Sequence, residues 1–473
     1  MSVHKISYFY FFNIIVTSFT MAEVIRIKKG LDIKMKGQAE KIYVKAPRAK
    51  TYAVKPVDFQ EFTPKIIPKL CDPVKVGTPI FYDKYNPEIK FPSPVSGTLL
   101  EIKRGERRRI IEVVVEDDGK DTPEKFLQGD PEDLDRDKIV ENLLESGLWP
   151  MIKQRPYSII ARPDKKPKSI FISAFDTAPL APDYDFVLKD MEEDFQWGVN
   201  VLRKLNEGKV YLGLDGRFPS VKTLTSIKGV EVNHFKGPHP AGNVGIHIHR
   251  LDPINKGEVV WTVKPQDVVA IGRLFRYGRY DPSIVVALTG SQVEKPLYYK
   301  TIRGTGVAPL LEGKLKEGDN RVISGNVLNG LQIDAAQGHL GFSDAQLTVI
   351  PEGNYFEMFG WIMPGLKKMS ASRSFMSTWL APNKKFELDT NYHGGERAFV
   401  MTGEYEKVLP MDIYPVQLLK AILVNDIDLM EELGIYEVDE EDLALCEFVC
   451  TSKTPVTKIL RSGLKNLRSE MEG

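Results

Sequence analysis

The residues best suited to chemistry stand together in residues 237–250, which read GPHPAGNVGIHIHR. This segment holds three of the chain's seven histidines, His239, His247 and His249, among glycines and prolines. Glycine and proline at this density indicate a tight turn whose backbone N–H groups are open to a ligand. The alternating isoleucines and histidines that follow predict a β-strand with His247 and His249 on one face.

Three interpretations of this segment stay open at the level of sequence. The first is a binding loop that leads into a strand, and the second is a structural turn whose imidazoles are hydrogen-bonded or solvated. The third is a metal pair, but zinc takes three or four ligands and no further His, Cys or carboxylate stands at a recognised spacing. We therefore expect no metal site here.

The composition limits the classes of function. Lys+Arg and Asp+Glu are 64 each, so the formal net charge is +0 and nucleic acid is not an expected partner. The cysteines Cys71, Cys446 and Cys450 are too few for a disulfide framework and suit a reducing cytoplasm. No apolar run reaches the roughly 20 residues of a transmembrane helix. A chain of 473 residues exceeds one hydrophobic core and indicates several domains.

Residues 1–23 are set apart as an N-terminal extension. Lys5, followed by the apolar run of residues 8–16, is similar to a short signal peptide, yet no cleavage site of small residues follows. The alternative, which we favour, is that translation starts at Met21 and that residues 1–20 are dispensable.

Residues 24–122 contain short strands separated by turns. Residues 74–81 and 91–99 resemble a biotinyl/lipoyl-type barrel-sandwich hybrid, and residues 110–115 close the module as a strand. Such domains carry a modified lysine at a hairpin tip, and Lys84 stands near that place. Asn86 and Pro87 lengthen the tip relative to the family pattern, so an unmodified, solvated Lys84 is the alternative.

Residues 123–282 have the pattern of a Rossmann-like α/β domain. A charged linker over 118–132 leads to a helix at 137–145, strands at 169–172 and 210–214, and apolar residues at helical spacing over 186–205. The unit ends with residues 266–275. Strands alternating with helices imply a parallel sheet.

This α/β region lacks a glycine-rich phosphate loop. A dinucleotide phosphate needs glycines at a strand-to-helix turn, and residues 146–150 (SGLWP), where we expect that loop, offer one glycine beside Trp149. Gly304 and Gly306 are a lone GxG that we interpret as a turn.

The rest of the chain divides into two parts. Residues 283–352 resemble a β-grasp domain, with strands at 285–290, 321–330 and 347–350. Residues 353–473 begin with a strand-like apolar face, predicted to be core rather than a docking surface, and continue with helices at 412–433 and 440–467. The apolar face is formed by Phe356, Phe359, Trp361 and Met363.

Cys446 and Cys450 form a C-x-x-x-C pair. An iron–sulfur cluster typically needs four thiolates in a C-x₂-C-x₂-C-x₃-C run, and the missing positions fall on Leu443 and Glu440. An i, i+4 pair on a helix has poor geometry for a disulfide. We therefore expect buried or half-buried thiols on a helix.

Four sequence blocks point to a family. They are FISAFDTAPLAPD at 171–183, GPHPAGNVGIHIHRLDP at 237–253, GWIMPG at 360–365 and DEEDLALCEFVC at 439–450. With the order of domains, they resemble the NqrA family of subunits of the bacterial Na⁺-translocating NADH:quinone oxidoreductase, from about Met21 to the C-terminus. The resemblance implies a multidomain α+β fold with a barrel-sandwich hybrid, a Rossmann-like domain, a β-grasp domain and a helical C-terminal domain. It also implies kinship with the NADH-entry subunit of the Rnf complex and the flavin-binding subunit of complex I.

The resemblance further implies a function. The chain is expected to be a peripheral subunit on the cytoplasmic face of the bacterial inner membrane, bound to integral membrane subunits of a complex that oxidises NADH, reduces ubiquinone or menaquinone and exports Na⁺. FAD, FMN, riboflavin and iron–sulfur centres are expected in the other subunits, with no cofactor and no catalytic residue on this chain. The alternatives are a flavin- and NADH-binding entry subunit like that of the Rnf complex, and a quinone-binding module.

A quinone contact is the one site that we predict for this chain. The imidazoles of His239, His247 and His249 have the chemistry to donate hydrogen bonds to a quinone carbonyl. Glycines such as Gly242 would let a flat ring approach the backbone.

Overall fold

A computed structural model describes residues 24–218, 222–358, 360 and 363–472. The proposed N-terminal extension and start site therefore lie outside the described residues. The strands of the first part are β1 (Val24–Arg26), β2 (Glu40–Lys45), β3 (Thr51–Val54), β4 (Pro64–Ile66), β5 (Pro73–Val74), β6 (Pro79–Asp83), β7 (Lys90–Pro92), β8 (Gly97–Arg104) and β9 (Ile110–Asp117).

The barrel-sandwich hybrid consists of two small antiparallel sheets. One has the strand order β3-β9-β8-β5 and the other β4-β6-β7. Both contribute to one core through side chains such as Ile80, Phe91 and Val113, all fully buried. Lys84 is exposed in the turn between β6 and β7, as predicted, with its ammonium over the ring of Tyr85. The first two strands join other sheets, since β1 pairs with a strand of the α/β sheet and β2 with a strand of the β-grasp sheet.

The second part has the predicted alternation of strands and helices. Its elements are α1 (Arg136–Glu145), β10 (Ile152–Arg155), β11 (Ile159–Ile160), β12 (Ser169–Ser173), α2 (Tyr184–Val187), α3 (Glu192–Leu205), β13 (Lys209–Asp215), α4 (Lys222–Thr225), β14 (Glu231–Lys236), α5 (Val244–Leu251), β15 (Val260–Val263) and α6 (Pro265–Tyr277).

These strands form one sheet in the order β1-β14-β13-β12-β15-β10-β11. Strands β1, β14, β13, β12 and β15 are parallel, whereas β10 and β11 extend the sheet in antiparallel fashion. The order β14-β13-β12-β15 reverses direction between β12 and β15, which is the switch point of a doubly wound fold. The Rossmann-like architecture is therefore confirmed.

Both faces of this sheet are buried. Ile170 and Ile172 of β12 join the core shared with α3 and α6, while Phe171 between them faces the core shared with α5 and the C-terminal helices. The helices α3 and α6 are in close contact, because a Cβ on Gly198 would lie 2.0 Å from the carbonyl oxygen of Val268. Two buried faces explain why β12 is apolar at successive positions.

The prediction of a strand over residues 246–249 is wrong, because these residues belong to helix α5. The helix lies between the sheet and the C-terminal helices, so Ile246, His247 and Ile248 are all buried. A short run that is buried on all sides shows no helical period, and its alternation then imitates a strand. Residues two positions apart in a helix point about 200° apart, so His247 and His249 face different layers instead of sharing a face.

The third part is a mixed sheet with the order β19-β18-β20-β16-β17-β2. Its elements are β16 (Ser283–Thr289), β17 (Leu297–Ile302), α7 (Ala308–Leu311), β18 (Asn320–Ser324), β19 (Leu331–Ile333) and β20 (Gln346–Pro351). The first and last strands, β16 and β20, are parallel neighbours in the middle of the sheet, which agrees with the predicted β-grasp fold. Gly304 lies in the turn after β17 with a φ of 66°, as the turn interpretation requires.

The C-terminal part is helical, as predicted. Its helices are α8 (Ser377–Leu380), α9 (Tyr405–Val408), α10 (Pro415–Leu423), α11 (Ile427–Glu432), α12 (Glu440–Val449) and α13 (Val456–Glu472). Each of the two long helices predicted from sequence is divided, the first around Asn425, which has a φ of 56°, and the second before Pro455. No helix in the described ranges is long and apolar enough to cross a membrane.

The predicted apolar core strand around residue 356 is wrong. Phe356 is 93% exposed and Met363 is also exposed, and neither lies in a strand. Phe359 and Trp361 lie outside the described residues. Apolar side chains are usually buried, which favours core, but Phe356 and Met363 lie in an exposed loop.

Candidate functional site

The loop that precedes α5 lies at the carboxyl edge of the parallel sheet. It follows β14 and meets the turn that follows β12. The Ser173 hydroxyl donates to the carbonyl of Gly242 at 2.8 Å, and the Gly242 N–H donates to Thr177 Oγ1 at 2.9 Å. A Cβ on Gly242 would lie 2.7 Å from the nitrogen of Thr177. Gly242 is therefore needed for the close approach of two protein loops.

This contact occupies the place where a doubly wound fold binds a dinucleotide. In such folds the phosphates sit at the first strand-to-helix turn and approach bare backbone N–H groups. Here that turn follows β12, and the hydroxyl oxygen of Thr177 in the turn accepts the N–H of Gly242. The expected position of the turn at residues 146–150 was wrong, because those residues connect α1 to the antiparallel strand β10. Trp149 is buried there and donates to the carbonyl of Ala161 at 2.6 Å.

His239 is buried in the loop and is held from both sides. Its backbone N–H donates to Asp32 Oδ1 at 2.9 Å, and its carbonyl accepts from the N–H of Leu31 at 2.8 Å. Its ring Nδ1 lies 3.2 Å from Thr177 Oγ1, and its Nε2 has no hydrogen-bond partner in the described part of the chain. Burial lowers the pKa of His239 to about 4, so the ring is neutral at pH 7.

His247 stacks on two aromatic rings, that of Phe235 in β14 and that of Phe175 in the turn after β12. Its ring centroid lies 3.9 Å from that of Phe235 and 5.4 Å from that of Phe175. Its Nε2 lies 3.0 Å from the carbonyl of Ala241, which can only accept, so Nε2 carries the proton. The other nitrogen, Nδ1, lies over Gly213, where a Cβ would come within 2.5 Å. Burial lowers the pKa of His247 to about 4.

His249 faces the C-terminal helices. Its Nδ1 lies 2.6 Å from Glu437 Oε2, and its Nε2 accepts from the N–H of Asp412 at 3.2 Å. The two bonds fix the tautomer, with the proton on Nδ1 directed at the carboxylate. His249 therefore links the α/β unit to the helical part of the chain.

The three histidines do not converge on one space. Both nitrogens of His249 have partners, and the single N–H of neutral His247 is bound to Ala241. His239 differs, because its Thr177 partner can donate to Nδ1 and leave Nε2–H as an unused donor. Of the three histidines, only His239 could donate to a quinone carbonyl without first losing a hydrogen bond within the protein. The quinone contact itself stays a prediction.

A buried ionic cluster fixes the other side of α5. The guanidinium of Arg155 donates from Nη1 to Asp442 Oδ2 at 2.7 Å and from Nη2 to Glu441 Oε1 at 2.5 Å. Asp439 lies 3.6 Å from the same Nη2. Gly245 of α5 packs on this cluster, since a Cβ there would lie 2.3 Å from Asp442 Oδ2. Burial raises the pKa of Glu441 to about 7, although Arg155 opposes the shift.

The sequence contains signals for some of these residues but not for their partners. The run of acidic residues at 439–442 marks the start of α12, where carboxylates complement the helix dipole, and Asp439 and Asp442 form a capping box. Nothing local to Arg155 indicates that it would meet this run, because the two are 287 residues apart. Ser173 and Thr177 lie in the sequence block at 171–183, and no local pattern there indicates their contacts with Gly242.

Cys446 and Cys450 occupy the positions expected of structural thiols. Cys446 is buried inside α12, and Cys450 is buried at the C-cap of that helix. Burial raises the pKa of Cys446. Although burial also acts to raise the pKa of Cys450, hydrogen bonds from the Tyr405 hydroxyl and the Thr454 N–H hold it below its ordinary value. Within the described ranges no cluster of three or more His, Cys, Asp or Glu side chains is arranged to hold a metal ion.

Two surface grooves lie away from the histidines. One, of about 580 Å³, is at the opposite, amino-terminal edge of the sheet near Lys209 and Glu231. The other, of about 800 Å³, lies beside α1. Both are lined by charged side chains, many of which are already paired, such as Lys209 with Glu231 at 2.8 Å.

Comparisons with known proteins agree with the order of these domains. Residues 25–118 match the NqrA N-terminal barrel-sandwich hybrid domain, residues 134–280 the NqrA second alpha/beta domain, and residues 285–335 the NQRA C-terminal domain. The corresponding Na(+)-translocating NADH-quinone reductase subunit of Yersinia pestis bv. Antiqua (strain Angola) is 41% identical over 450 residues, covering 94% of this chain and 100% of the relative. The chain belongs to the NqrA family.

Other NqrA proteins give the same result. The NqrA protein of Neisseria meningitidis serogroup A is 41% identical over 454 residues, and that of Photorhabdus laumondii is 39% identical over 450 residues, each covering 94% of this chain and 100% of the relative. Among solved structures, the NAD⁺-reducing [NiFe]-hydrogenase in its air-oxidized state has a TM-score of 0.38 and 12% identity, over 73% of this chain and 63% of that chain. A likeness at this level carries no argument about function.

The buried His247 predicts a specific pH dependence of stability. The pKa of His247 is about 4 in the folded chain and about 6.5 in the unfolded chain. Between these values the unfolded state binds a proton that the folded state does not bind. Stability is therefore lost as the pH falls from about 6.5 to about 4. We expect His247→Gln, which keeps a donor for Ala241, to reduce the loss of unfolding free energy between pH 6.5 and 4.5 by roughly 2 kcal/mol. Denaturant unfolding monitored by tryptophan fluorescence measures the free energy of unfolding at each pH. The same pH dependence in the unmodified chain and in His247→Gln would contradict the burial argument.

Proposed function

We propose that this chain is the NqrA subunit of a Na⁺-translocating NADH:quinone reductase, the complex that oxidises NADH, reduces quinone and exports Na⁺. The observation that carries the proposal is the full-length match to curated NqrA proteins, which spans 94% of this chain and 100% of the relative. Since the match covers 94% of the chain, we assign the proposed role to the domains together rather than to any one of them. The quinone is ubiquinone or menaquinone.

In this proposal the chain is one of the subunits of the enzyme and carries no catalytic centre. FAD, FMN, riboflavin and iron–sulfur centres belong to the other subunits. The filled first turn of the doubly wound sheet supports this, because Gly242 and Thr177 bond to each other where a phosphate would bind. The kinship with the NADH-entry subunit of the Rnf complex and the flavin-binding subunit of complex I is part of the proposal, with this chain keeping the scaffold of those proteins.

The proposed location is the cytoplasmic face of the bacterial inner membrane, where the chain contacts integral membrane subunits. Exposed apolar side chains in the C-terminal part, such as Phe356 and Trp379, support a protein partner. The rival function is a flavin-carrying NADH-entry subunit like that of the Rnf complex. Visible absorbance of the purified chain distinguishes the two, since bound flavin makes a protein yellow.

The direct test is assembly of the complex with and without this chain. With a tag on a different subunit, we expect the complete complex to retain this chain and to catalyse Na⁺-stimulated quinone reduction by NADH. Omission of the chain should abolish that activity, and re-addition of the purified chain should restore it. Full Na⁺-stimulated activity without the chain would contradict the proposal.

A second prediction concerns a quinone contact, which we propose for the loop of Gly242 and His239. The Nε2–H of His239 is buried and unpaired, so a quinone carbonyl that reached it would accept its hydrogen bond, and loss of one hydrogen bond weakens binding by about tenfold. We expect His239→Ala to weaken binding of a quinone analogue to the purified chain by about that factor. His249→Ala is the matched control, because both nitrogens of His249 are used within the protein.

The variant His247→Ala separates a direct contact from a structural one. In the unmodified chain the only N–H of the His247 ring is bound to the carbonyl of Ala241. Weaker quinone binding in His247→Ala should therefore come with a lower midpoint of unfolding. In His239→Ala, quinone binding should weaken while the midpoint of unfolding falls no further than it does in the His249→Ala control. Unchanged affinity in both His239→Ala and His247→Ala would remove the quinone contact from this loop.

A further inference from the structure

A long loop between the β-grasp sheet and the C-terminal helices is closed at its base. It comprises residues 353–391 and is called here the 353–391 loop. The N–H of Gly353 donates to Thr390 Oγ1 at 2.8 Å, and Asn391 Nδ2 donates to the carbonyl of Gly353 at 3.0 Å and to that of Tyr355 at 2.7 Å. Loops of this length with little regular structure are uncommon in compact domains, and many of them are functional.

This loop exposes apolar side chains. Phe356 is 93% exposed and Trp379 is 72% exposed. Between residues 353 and 385, the one side chain that is buried among those described is Ser377. Other large apolar residues exposed in the loop are Tyr355, Met358, Met363, Leu366, Met376 and Leu380. Soluble monomers seldom display so many large apolar side chains together, so this surface marks an interaction site.

Hydrogen bonds within the loop, rather than an apolar core, hold its shape. Lys368 Nζ donates to the carboxylate of Glu357 and to the carbonyl of Gly360. The hydroxyl of Ser377 donates to the carbonyl of Lys368 at 2.6 Å, and Lys384 Nζ donates to that of Leu366 at 2.8 Å. Because polar groups make the internal contacts, the apolar side chains remain on the outside.

The loop also carries cations without partners. Lys367, Arg373 and Lys385 are exposed, and their side chains make no hydrogen bond or ion pair within the described parts of the chain. The three carboxylates of the loop already have partners: Glu357 is bound to Lys368, Glu387 accepts from Gln292, and Asp389 accepts from the Tyr355 hydroxyl. The exposed surface is therefore apolar and positively charged.

We propose that the 353–391 loop docks this chain onto another subunit of the same complex, on an apolar surface rimmed by carboxylates. This inference rests on the proposed function. Exposed aromatic, methionine and arginine side chains are typical of the buried centre of protein interfaces, and carboxylates would pair with the three free cations. An anionic bilayer is the less favoured occupant, because the five Lys and Arg of the loop are spread over residues 367–385 and offset by three carboxylates, whereas polybasic lipid-binding segments have compact clusters of about four to eight cations.

The test compares two apolar double variants in the assembled complex. Phe356→Ser with Trp379→Ser removes two exposed anchors of the loop. The matched control is Leu70→Ser with Tyr85→Ser, which removes side chains that are 56% and 71% exposed on the barrel. We expect the loop variant to dissociate from the complex with a Kd more than about tenfold higher, because each interface anchor typically contributes 1 kcal/mol or more. The control should bind as the unmodified chain does.

A charge variant tests the second half of the proposal. Lys367→Glu with Arg373→Glu and Lys385→Glu should weaken retention in the complex, and the binding of the unmodified chain should weaken as salt rises. The charge control is Lys65→Glu with Lys69→Glu and Lys125→Glu, three exposed lysines elsewhere in the chain. Circular dichroism and the melting temperature should be unchanged in all variants, because the replaced side chains are exposed.

The outcomes separate this inference from the proposed function. If the unmodified chain is itself not retained by the complex, the proposed function fails. If the unmodified chain and both loop variants are retained equally, the docking inference alone fails. It also fails if the loop variants stay in the complex but lose binding to vesicles of anionic phospholipid, since the loop would then be a lipid contact.

Discussion

Arg155 is a buried guanidinium on the edge of the α/β sheet, and the first turn of α12 supplies the carboxylates that surround it. A buried charge is tolerated only when it is paired and hydrogen-bonded, and removal of one partner of such a pair typically costs about 3–5 kcal/mol. The C-terminal helices are therefore fixed on the sheet at one specific position. Arg461 adds to this contact by joining Asp439 to the carbonyl of Tyr157.

The position of α12 in turn determines what the carboxyl edge of the sheet can do. Gly245 packs on the carboxylate of Asp442 without room for a Cβ. Helix α5 therefore packs on this cluster through Gly245 and on the ring of Phe235 through His247. The loop before α5 then bonds to the turn after β12 through Gly242. A doubly wound fold normally binds its ligand at this edge. In this chain protein groups occupy the same position, which agrees with a scaffold role.

Local signals in the sequence predicted much of the fold. The sequence pattern predicted α1, β12 and β13, and the helix predicted over 440–467 begins at the residue where α12 begins. Prediction failed where burial on all sides removes the period, as in α5, and where apolar residues are exposed for a partner, as at Phe356. The candidate site was found as a segment, but its geometry depends on partners such as Thr177, Glu437 and Asp442. Those contacts join residues far apart in the sequence, and local pattern contains no information on them.

We infer that this chain keeps a dinucleotide-binding topology without a dinucleotide site. Titration of the purified chain with FMN and with NADH, monitored by their fluorescence, tests it most directly. We predict no saturable binding of either, because the turn after β12 is bonded to Gly242 rather than open to phosphate. Saturable binding of either ligand in the micromolar range, weakened by a bulky substitution in that turn such as Thr177→Tyr, would contradict it.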